Sequence, residues 1–309
     1  MRKFKVRSTV ALVGVLMLTA AACGSDDPAG SGDGDTGSAD AGAGVCADAD
    51  TDTAAGDLLA EVCTNGTITV ATDPAYPPAS SFDPVTGEYE GFDIDTATEI
   101  ANRLGVEIAW EEPSFDAITA GGWNARWDMS VGSMTVTKER AEVLYFTPAY
   151  YFTPAAVAVL EDNTEITSPE QLSGKTIGAC TACTYDFFLQ GTLDIPGYTF
   201  DFVIQDATIK TYNTDTDAIQ DLVAGRLDAA MSAESILQGA IDKGSPIKIV
   251  GEPLFSEPLS VAFDKSSELD AKSLADAVST IVEEMHADGT LSEYSMEWYG
   301  EDLTVDPAA

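Results

Sequence analysis

The chain alternates short, β-prone apolar runs with longer stretches whose apolar residues recur at helical spacing. In residues 93–104, Ile94, Ala97 and Ile100 share one helical face, and Gly105 follows as a typical helix end. Strands that alternate with helices predict an α/β fold with a parallel sheet. The same patterns predict strands at 67–72, 106–110, 128–131, 155–160, 175–179, 203–204, 227–231 and 247–250, a short helix after Ser114, and helices at 184–189, 217–224, 234–242, 270–287 and onward to 299.

The first 22 residues have the pattern of an export signal. Basic residues within positions 1–7 precede an apolar run at 10–20 that is too short to span a membrane, and small residues precede Cys23. This junction resembles a bacterial lipobox. We therefore predict a lipoprotein signal peptide at 1–22 and a lipid on Cys23 that anchors the exported protein at the extracytoplasmic face of the cell membrane. An ordinary cleaved secretory signal is the alternative, since Ala20 stands where leucine is usual.

The segment after the signal has a composition unlike that of the rest of the chain. Residues 24–44 consist only of Gly, Asp, Ala, Ser, Thr and Pro, which cannot bury an apolar core. We predict that 23–45 is a flexible tether between the membrane and the folded part. The remaining residues are enough for one large or two modest lobes.

The charge balance narrows the range of partners. The chain has 52 Asp and Glu against 15 Lys and Arg, a formal net charge of −37. Because this charge repels phosphate backbones, we predict no nucleic-acid partner. A solvated acidic surface is the commoner explanation of such a composition, and attraction of a cationic ligand is the second interpretation.

The five cysteines fit an oxidising compartment. With Cys23 assigned to the lipid, the spacings suggest that Cys46 pairs with Cys63 and Cys180 with Cys183. In the cytosol, the close spacing of Cys180 and Cys183 would suggest a redox or zinc site. An exported chain with one histidine favours a structural disulfide instead.

Residues 126–140 combine features of an anion-binding site. The predicted strand 128–131 is followed by the hydroxyls of Ser133 and Thr135, and Arg140 can bind a carboxylate through two parallel hydrogen bonds. A strand, a polar loop and a solvated arginine would give the same pattern, so this stretch alone leaves both interpretations open.

A second candidate region follows the first predicted strand. Residues 73–78 read Asp-Pro-Ala-Tyr-Pro-Pro, a stiff loop that holds Asp73 and Tyr76 at the end of a strand. Open α/β sheets bind ligands at such strand ends. Packing of Tyr76 on its neighbouring prolines is the alternative.

Five motifs resemble the polar amino-acid-binding family (family 3) of the extracytoplasmic solute-binding proteins that serve ABC importers. The resemblance implies two α/β lobes joined by two crossing strands, the type II binding-protein fold, with the ligand held between lobes that close about a hinge. We expect lobe 1 at 46–152 and 251–309 and lobe 2 at 153–250, with crossings near 149–154 and 249–251. The motifs lie at 71–78, 91–95, 132–140, 224–229 and 285–290.

The resemblance also assigns roles to residues that match the family's motifs. Arg140 matches the arginine that grips the ligand carboxylate, with Ser133 and Thr135 as polar helpers. Thr184 matches a threonine of the second lobe that binds the same carboxylate. Tyr76 matches an aromatic residue that stacks on the ligand side chain.

Further roles concern the ligand's positive charge, and one of them departs from the family. Asp73 matches a residue that binds a cationic side chain in some members. Ala233 stands where an aspartate usually binds the ligand's α-ammonium group. Glu234, Asp73 or Asp206 would have to replace that aspartate, or the ligand is not an ordinary α-amino acid.

We therefore predict a monomeric, non-enzymatic lipoprotein that needs no cofactor or metal. It would capture a small carboxylate-bearing solute, an amino acid or a derivative, and deliver it to a membrane permease. A cyclohexadienyl (prephenate or arogenate) dehydratase on the same fold is one alternative, with Glu234 as the candidate general acid. A ligand sensor that binds a membrane receptor is the other.

Overall fold

A computed structural model describes residues 44–48 and 56–307. Its strands are β1 Thr67–Ala71, β2 Ala75–Tyr76, β3 Ser80–Asp83, β4 Glu88–Glu90, β5 Glu107–Glu111, β6 Met129–Thr135, β7 Leu144–Phe146, β8 Tyr151–Leu160, β9 Thr176–Cys180, β10 Thr208–Tyr212, β11 Ala229–Ala233, β12 Ile247–Ile249 and β13 Phe255–Asp264. Its α-helices are α1 Val45–Asp48, α2 Leu58–Asn65, α3 Phe92–Leu104, α4 Phe115–Thr119, α5 Arg140–Val143, α6 Thr184–Leu189, α7 Asp215–Val223, α8 Glu234–Asp242, α9 Ala271–Ala287 and α10 Thr290–Tyr299.

The strands form one long sheet and one small sheet. The long sheet has the order β10-β9-β11-β8-β13-β6-β1-β5, with β12 added to β8 and β7 added to β13. The small sheet contains β2, β3 and β4. Strand β1 pairs in parallel with β5 and β6, and β9 pairs in parallel with β10 and β11, as the alternation of strands and helices predicts. The α/β fold class is therefore confirmed.

Each half of the long sheet has its own apolar core. In lobe 1, β1 contributes Ile68 and Val70, which pack with residues of α3 and α9 such as Ile100 and Val282. In lobe 2, the core forms around β8, β9 and β11 and includes Phe188 of α6. Apolar side chains at helical spacing explain why α3 and α9 cover the sheet with one face and leave the other in solvent.

Two antiparallel strands join the lobes. Strand β8 pairs with β13 from Tyr151 opposite Leu259 to Ala155 opposite Phe255. Beyond this region β8 pairs with β11 in lobe 2, while β13 pairs with β6 in lobe 1. The first crossing was expected near 149–154, where β8 begins. The lobe boundaries proposed from the sequence stay predictions.

Several elements differ from the sequence predictions. Residues 203–204 are not in a strand, whereas β10, β13 and the small sheet were not predicted. Residues 247–249 form β12 beside β8. Strand β6 continues to Thr135 although Gly132 and Ser133 were expected to leave it, because β13 pairs with its second half through an irregular register.

The N-terminal predictions fall mostly outside the described residues. The signal peptide at 1–22, the lipid on Cys23 and nearly all of the tether at 23–45 belong to that part of the chain. Within 44–48 and 56–307, no helix has the length and apolar character needed to cross a membrane.

Both predicted disulfides are present in the structure. Cys46 bonds Cys63 and so ties α1 to α2, across a sequence separation of 17 residues. Cys180 bonds Cys183 across a separation of 3 residues, at the end of β9. Each bond removes conformational freedom from the unfolded chain, and the longer loop removes more.

We expect replacement of Cys46 and Cys63 by serine to lower the free energy of unfolding by ~3 kcal/mol, because the unfolded chain regains the loop entropy. Denaturant unfolding of the variant and the wild type would measure this difference. In excess dithiothreitol, which reduces the bond in the wild type, the two proteins should differ little. An equally large difference with and without reductant would contradict the entropic explanation.

Candidate functional site

A cavity of about 40 Å³, room for a few water molecules, lies between the two lobes. Lobe 1 lines it from the loop after β1, from β6 and from α5, and lobe 2 lines it from the start of α6 and of α7. The cavity brings together six of the seven predicted ligand-binding residues: Asp73, Tyr76, Ser133, Thr135, Arg140 and Thr184.

Arg140 begins α5 and is 3% exposed. Its backbone N–H donates to the hydroxyl of Thr137, which caps this turn. Its guanidinium donates to the carbonyl oxygen of Thr135 at 2.9 Å and to that of Ala182 at 2.8 Å. The guanidinium also lies over the ring of Phe115, 5.2 Å from its centroid. Arg140 therefore connects lobe 1 with the loop after β9 in lobe 2.

The Arg140 side chain keeps one polar group free of any partner. Its Nε is buried and forms no hydrogen bond within the described structure. Burial lowers the pKa of Arg140 to about 10, and the nearby charge of Glu257 acts in the opposite direction. The guanidinium therefore stays protonated at neutral pH and has a donor left for a ligand.

Glu257 is the acidic side chain at the centre of the hydrogen-bond network, and the sequence did not point to it. It lies on β13, opposite Thr153 on β8, and is 1% exposed. Its Oε2 accepts hydrogen bonds from the hydroxyls of Thr135 and Thr184, both at 2.6 Å. Its Oε1 accepts one from the hydroxyl of Tyr185 at 2.6 Å.

Burial raises the pKa of Glu257 above its usual value, although the three hydroxyl donors and the charge of Arg140 oppose the shift. Three donors on two oxygens suit an ionised carboxylate, which only accepts hydrogen bonds. The two threonines that the sequence assigned to a ligand carboxylate thus bind a carboxylate of the protein itself.

Ser133 is held by residues of lobe 1. Its backbone has φ 52°, in the left-handed region, and its N–H donates to the hydroxyl of Tyr150. Its own hydroxyl donates to Asp93 at 2.7 Å and lies 2.7 Å from the hydroxyl of Tyr151. Burial raises the pKa of Asp93 to about 6, although hydrogen bonds from Tyr150, Ser133 and Ser80 oppose the shift. Ser133 therefore shares its hydroxyl with a buried acid of the same lobe.

Two more acids line the cavity. Asp73 accepts a hydrogen bond from the N–H of Ala75, and burial raises its pKa. Asp215, the first residue of α7, is 4% exposed, and its Oδ1 has no hydrogen-bond partner. Burial raises the pKa of Asp215 to about 7, and the charges of Asp73 and Glu257 add to the shift. Both acids would gain from a positively charged partner.

Tyr76 and Tyr185 face each other across the cavity. Tyr76 follows the loop after β1, and its hydroxyl lies 3.4 Å from that of Tyr185 in lobe 2. The side chain of Tyr76 also packs against the apolar core of lobe 2. Tyr76 therefore takes part in the contact between lobes, besides lining the space for a ligand.

The structure does not bring Glu234 to this cavity. Glu234 begins α8 and lines a separate cavity of about 250 Å³, together with Trp298 and Glu301. Burial and the charges of Glu301 and Glu252 raise its pKa. Asp206, the other suggested replacement for the missing ammonium partner, does not line the cavity of Arg140 either.

Several lining residues were not predicted, and the sequence pointed to some of them more clearly than to others. Asp93 lies within the motif at 91–95 and Tyr185 follows Thr184, so both were near recognised positions. Asp215 follows a threonine that caps α7, a pattern typical of a solvated helix start. In the part of the chain that the structure describes, no group of three or more His, Cys, Asp or Glu side chains is placed to hold a metal ion.

Curated proteins similar to this chain are amino-acid-binding proteins by name. The probable amino-acid-binding protein YxeM of Bacillus subtilis is 29% identical over 237 residues, which cover 76% of this chain and 84% of YxeM. The L-cystine-binding protein TcyJ of Escherichia coli is 28% identical over 249 residues, which cover 80% of this chain and 88% of TcyJ.

A solved structure and a family profile agree with these relatives. The ancestral amino acid-binding protein AncCDT-1, described as a precursor of cyclohexadienyl dehydratase, is 26% identical with a TM-score of 0.68, and the match covers 78% of this chain and 99% of that one. The two-lobed type II fold is thereby confirmed. The family profile matches residues 68–301. This chain belongs to the bacterial extracellular solute-binding proteins, family 3.

Proposed function

We propose that this protein is the substrate receptor of an ABC importer. It captures a small polar solute of the amino-acid class, an amino acid or a derivative of one, and delivers it to a membrane permease. The observation that carries the proposal is the cavity between the lobes, where Arg140 of lobe 1 and Thr184 of lobe 2 converge. The names of YxeM and TcyJ support the amino-acid class.

We further propose that the protein acts at the extracytoplasmic face of the cell membrane. The basic head, the apolar run and Cys23 support export and a lipid anchor, which would keep the receptor, as a monomer, close to its permease. The tether would let the folded lobes reach the permease while they stay attached to the membrane.

Capture would depend on rotation of the lobes about β8 and β13. In the closed form, hydrogen bonds cross the cleft from Arg140 to Ala182 and from Thr216 to the carbonyl oxygen of Ala75. A cavity of about 40 Å³ has room for a few water molecules and is too small to hold an amino acid, so the solute would first bind a form in which the lobes lie farther apart.

The enzymatic alternative has lost its candidate general acid. It required Glu234 in the cleft, and Glu234 lines another cavity. AncCDT-1 is itself described as an amino acid-binding protein, so similarity to it favours binding. The sensor alternative would use the same cavity and differs only in the membrane partner.

A thermal-shift screen against amino acids and their amine derivatives tests the proposal. A solute at about a hundred times its dissociation constant should stabilise the protein by ~2.7 kcal/mol, because it binds only the folded state. The solute that binds should also stimulate ATP hydrolysis by the co-reconstituted permease. Turnover of prephenate or arogenate, with no stabilisation by any solute, would contradict a receptor.

Arg140→Lys should weaken binding of that solute at least tenfold. Lysine carries the same charge but lacks the planar fork that reaches Thr135 and Ala182 together, so closure loses a hydrogen bond of the kind worth ~1.5–3 kcal/mol. Isothermal titration calorimetry would measure the loss. Arg226→Lys changes an exposed arginine on lobe 2 and should leave the affinity within twofold. Equal affinities for both variants would remove Arg140 from the mechanism.

The solute-free protein should become more stable as the pH falls from 7 toward 4. Burial raises the pKa of Asp93 to about 6 and that of Asp215 to about 7, whereas an unfolded aspartate has a pKa of about 3.9. The folded state therefore binds more protons than the unfolded state in this window, and stability is lost as the pH rises through it. Melting temperatures measured across the window should show a shallower slope for Asp215→Asn. An identical slope would mean that Asp215 titrates normally.

A further inference from the structure

Glu257 occupies the place that the sequence assigned to the carboxylate of the ligand. Its Oε2 accepts from Thr135 of lobe 1 and from Thr184 of lobe 2, both at 2.6 Å, and its Oε1 accepts from Tyr185. The same two threonines were the expected donors to a bound carboxylate. A ligand carboxylate would therefore have to displace Glu257 from these hydroxyls or lie beside it.

Displacement of Glu257 by a ligand carboxylate and a position beside it are both unfavourable. Displacement would leave a buried carboxylate, 1% exposed on β13, without its two threonine donors. Coexistence would place two negative charges next to each other in a site away from water, which costs more than it does in solvent. Arg140 could offset one such charge through its Nε, which has no partner within the described structure, although its guanidinium already binds the carbonyl oxygens of Thr135 and Ala182.

The rest of the lining favours a positive charge. Asp73, Asp93, Asp215 and Glu257 line the cavity, and among the described lining residues Arg140 is the one base. Hydroxyl groups already satisfy Asp93, but Asp215 has a buried Oδ1 with no partner. The aromatic ring of Tyr76 also lines the space, and an aromatic face attracts cations.

We infer that Glu257 is a specificity-determining residue that acts as a built-in substitute for a ligand carboxylate, and that the cavity selects small organic cations without a carboxylate group, such as amines and guanidines derived from amino acids. The cation would lie toward Asp73 and Asp215. Ala233 removes the family's usual ammonium partner, so the ammonium groups of such a ligand would bind Asp73 and Asp215 instead. The inference rests on the proposed receptor function and narrows its substrate class.

Matched pairs of compounds that differ only by the carboxylate test the inference on the wild-type protein. The pairs are L-arginine with agmatine, L-lysine with cadaverine, and L-ornithine with putrescine, each titrated by calorimetry at pH 7.5. In every pair that binds, the decarboxylated member should bind at least tenfold more tightly. An amino acid that binds as tightly as its amine overturns the inference, and so does failure of all three amines to bind.

Measurements on Glu257→Gln distinguish the effect of the Glu257 charge on ligand selection from the effect of the other acids in the cavity. The amide keeps the shape and an acceptor oxygen but removes the charge, so the ratio of amine to amino-acid affinity should fall at least tenfold. Glu161→Gln, at an exposed position beyond β8, is the matched control and should keep the wild-type ratio. An unchanged ratio in Glu257→Gln overturns the inference. If that variant does not fold, the wild-type ratios decide alone.

The two proposals fail in different ways. Tight binding of an amino acid, with amine binding weaker or absent, leaves the receptor function intact and refutes the role of Glu257. No saturable binding of any of the six compounds, together with no stabilisation in the wider screen, refutes both.

Discussion

The pairing of β8 with β13 is the constraint on which the rest of the molecule depends. Each strand is ten residues long, and each completes the sheet of one lobe beyond the region where the two strands pair. Neither lobe can therefore form its full sheet without a strand that also belongs to the hinge. The same pairing fixes Glu257, opposite Thr153, at the boundary between the lobes. A hinge strand thus supplies a charged side chain to the site, besides its mechanical role.

Burial of charge governs the chemistry of the cavity. Burial removes water from the guanidinium of Arg140, and hydrogen bonds to carbonyl oxygens of both lobes replace it. Part of the free-energy cost of this desolvation is therefore offset only when the lobes are closed. Among the acids around it, Asp215 is poorly compensated, because its buried Oδ1 has no hydrogen-bond partner. A bound cation would offset that cost directly. Closure and ligand charge are therefore linked, because Arg140, which bridges the lobes, and the acids that a ligand would satisfy line the same cavity.

The sequence predicted the local elements well where apolar residues recur at helical spacing directly after a strand. Helices α6 and α8 match the predicted bounds, since each follows a strand and has an apolar stripe of its own. Six of the predicted site residues meet in one cavity because they lie within β6 or a few residues beyond the ends of β1, β6 and β9 in the chain. Ala233, which departs from the family pattern, was recognised from the sequence as well.

The failures at β13 and β6 have a common physical cause. Strand β13 contains Pro258 directly after Glu257, a pattern that argues for a turn, and it becomes a strand only through long-range pairing with β6 and β8. Because β13 was not among the predicted strands, Glu257 was not identified from the sequence as a site residue. Strand β6 was predicted too short for the same reason, since its second half depends on β13. Glu234 was assigned to the cleft from its position in the chain, but the start of α8 faces a different cavity.

The disulfide between Cys180 and Cys183 has a consequence for where the protein can work. The bond closes the loop that carries Ala182, whose φ of 59° is costly for a residue other than glycine, and the carbonyl oxygen of Ala182 receives a hydrogen bond from Arg140. A reduced chain in the cytosol would have nothing covalent to hold this acceptor in place. Competence to trap a solute would thus be acquired only after secretion, which would spare the cell's internal solute pool from its own receptor.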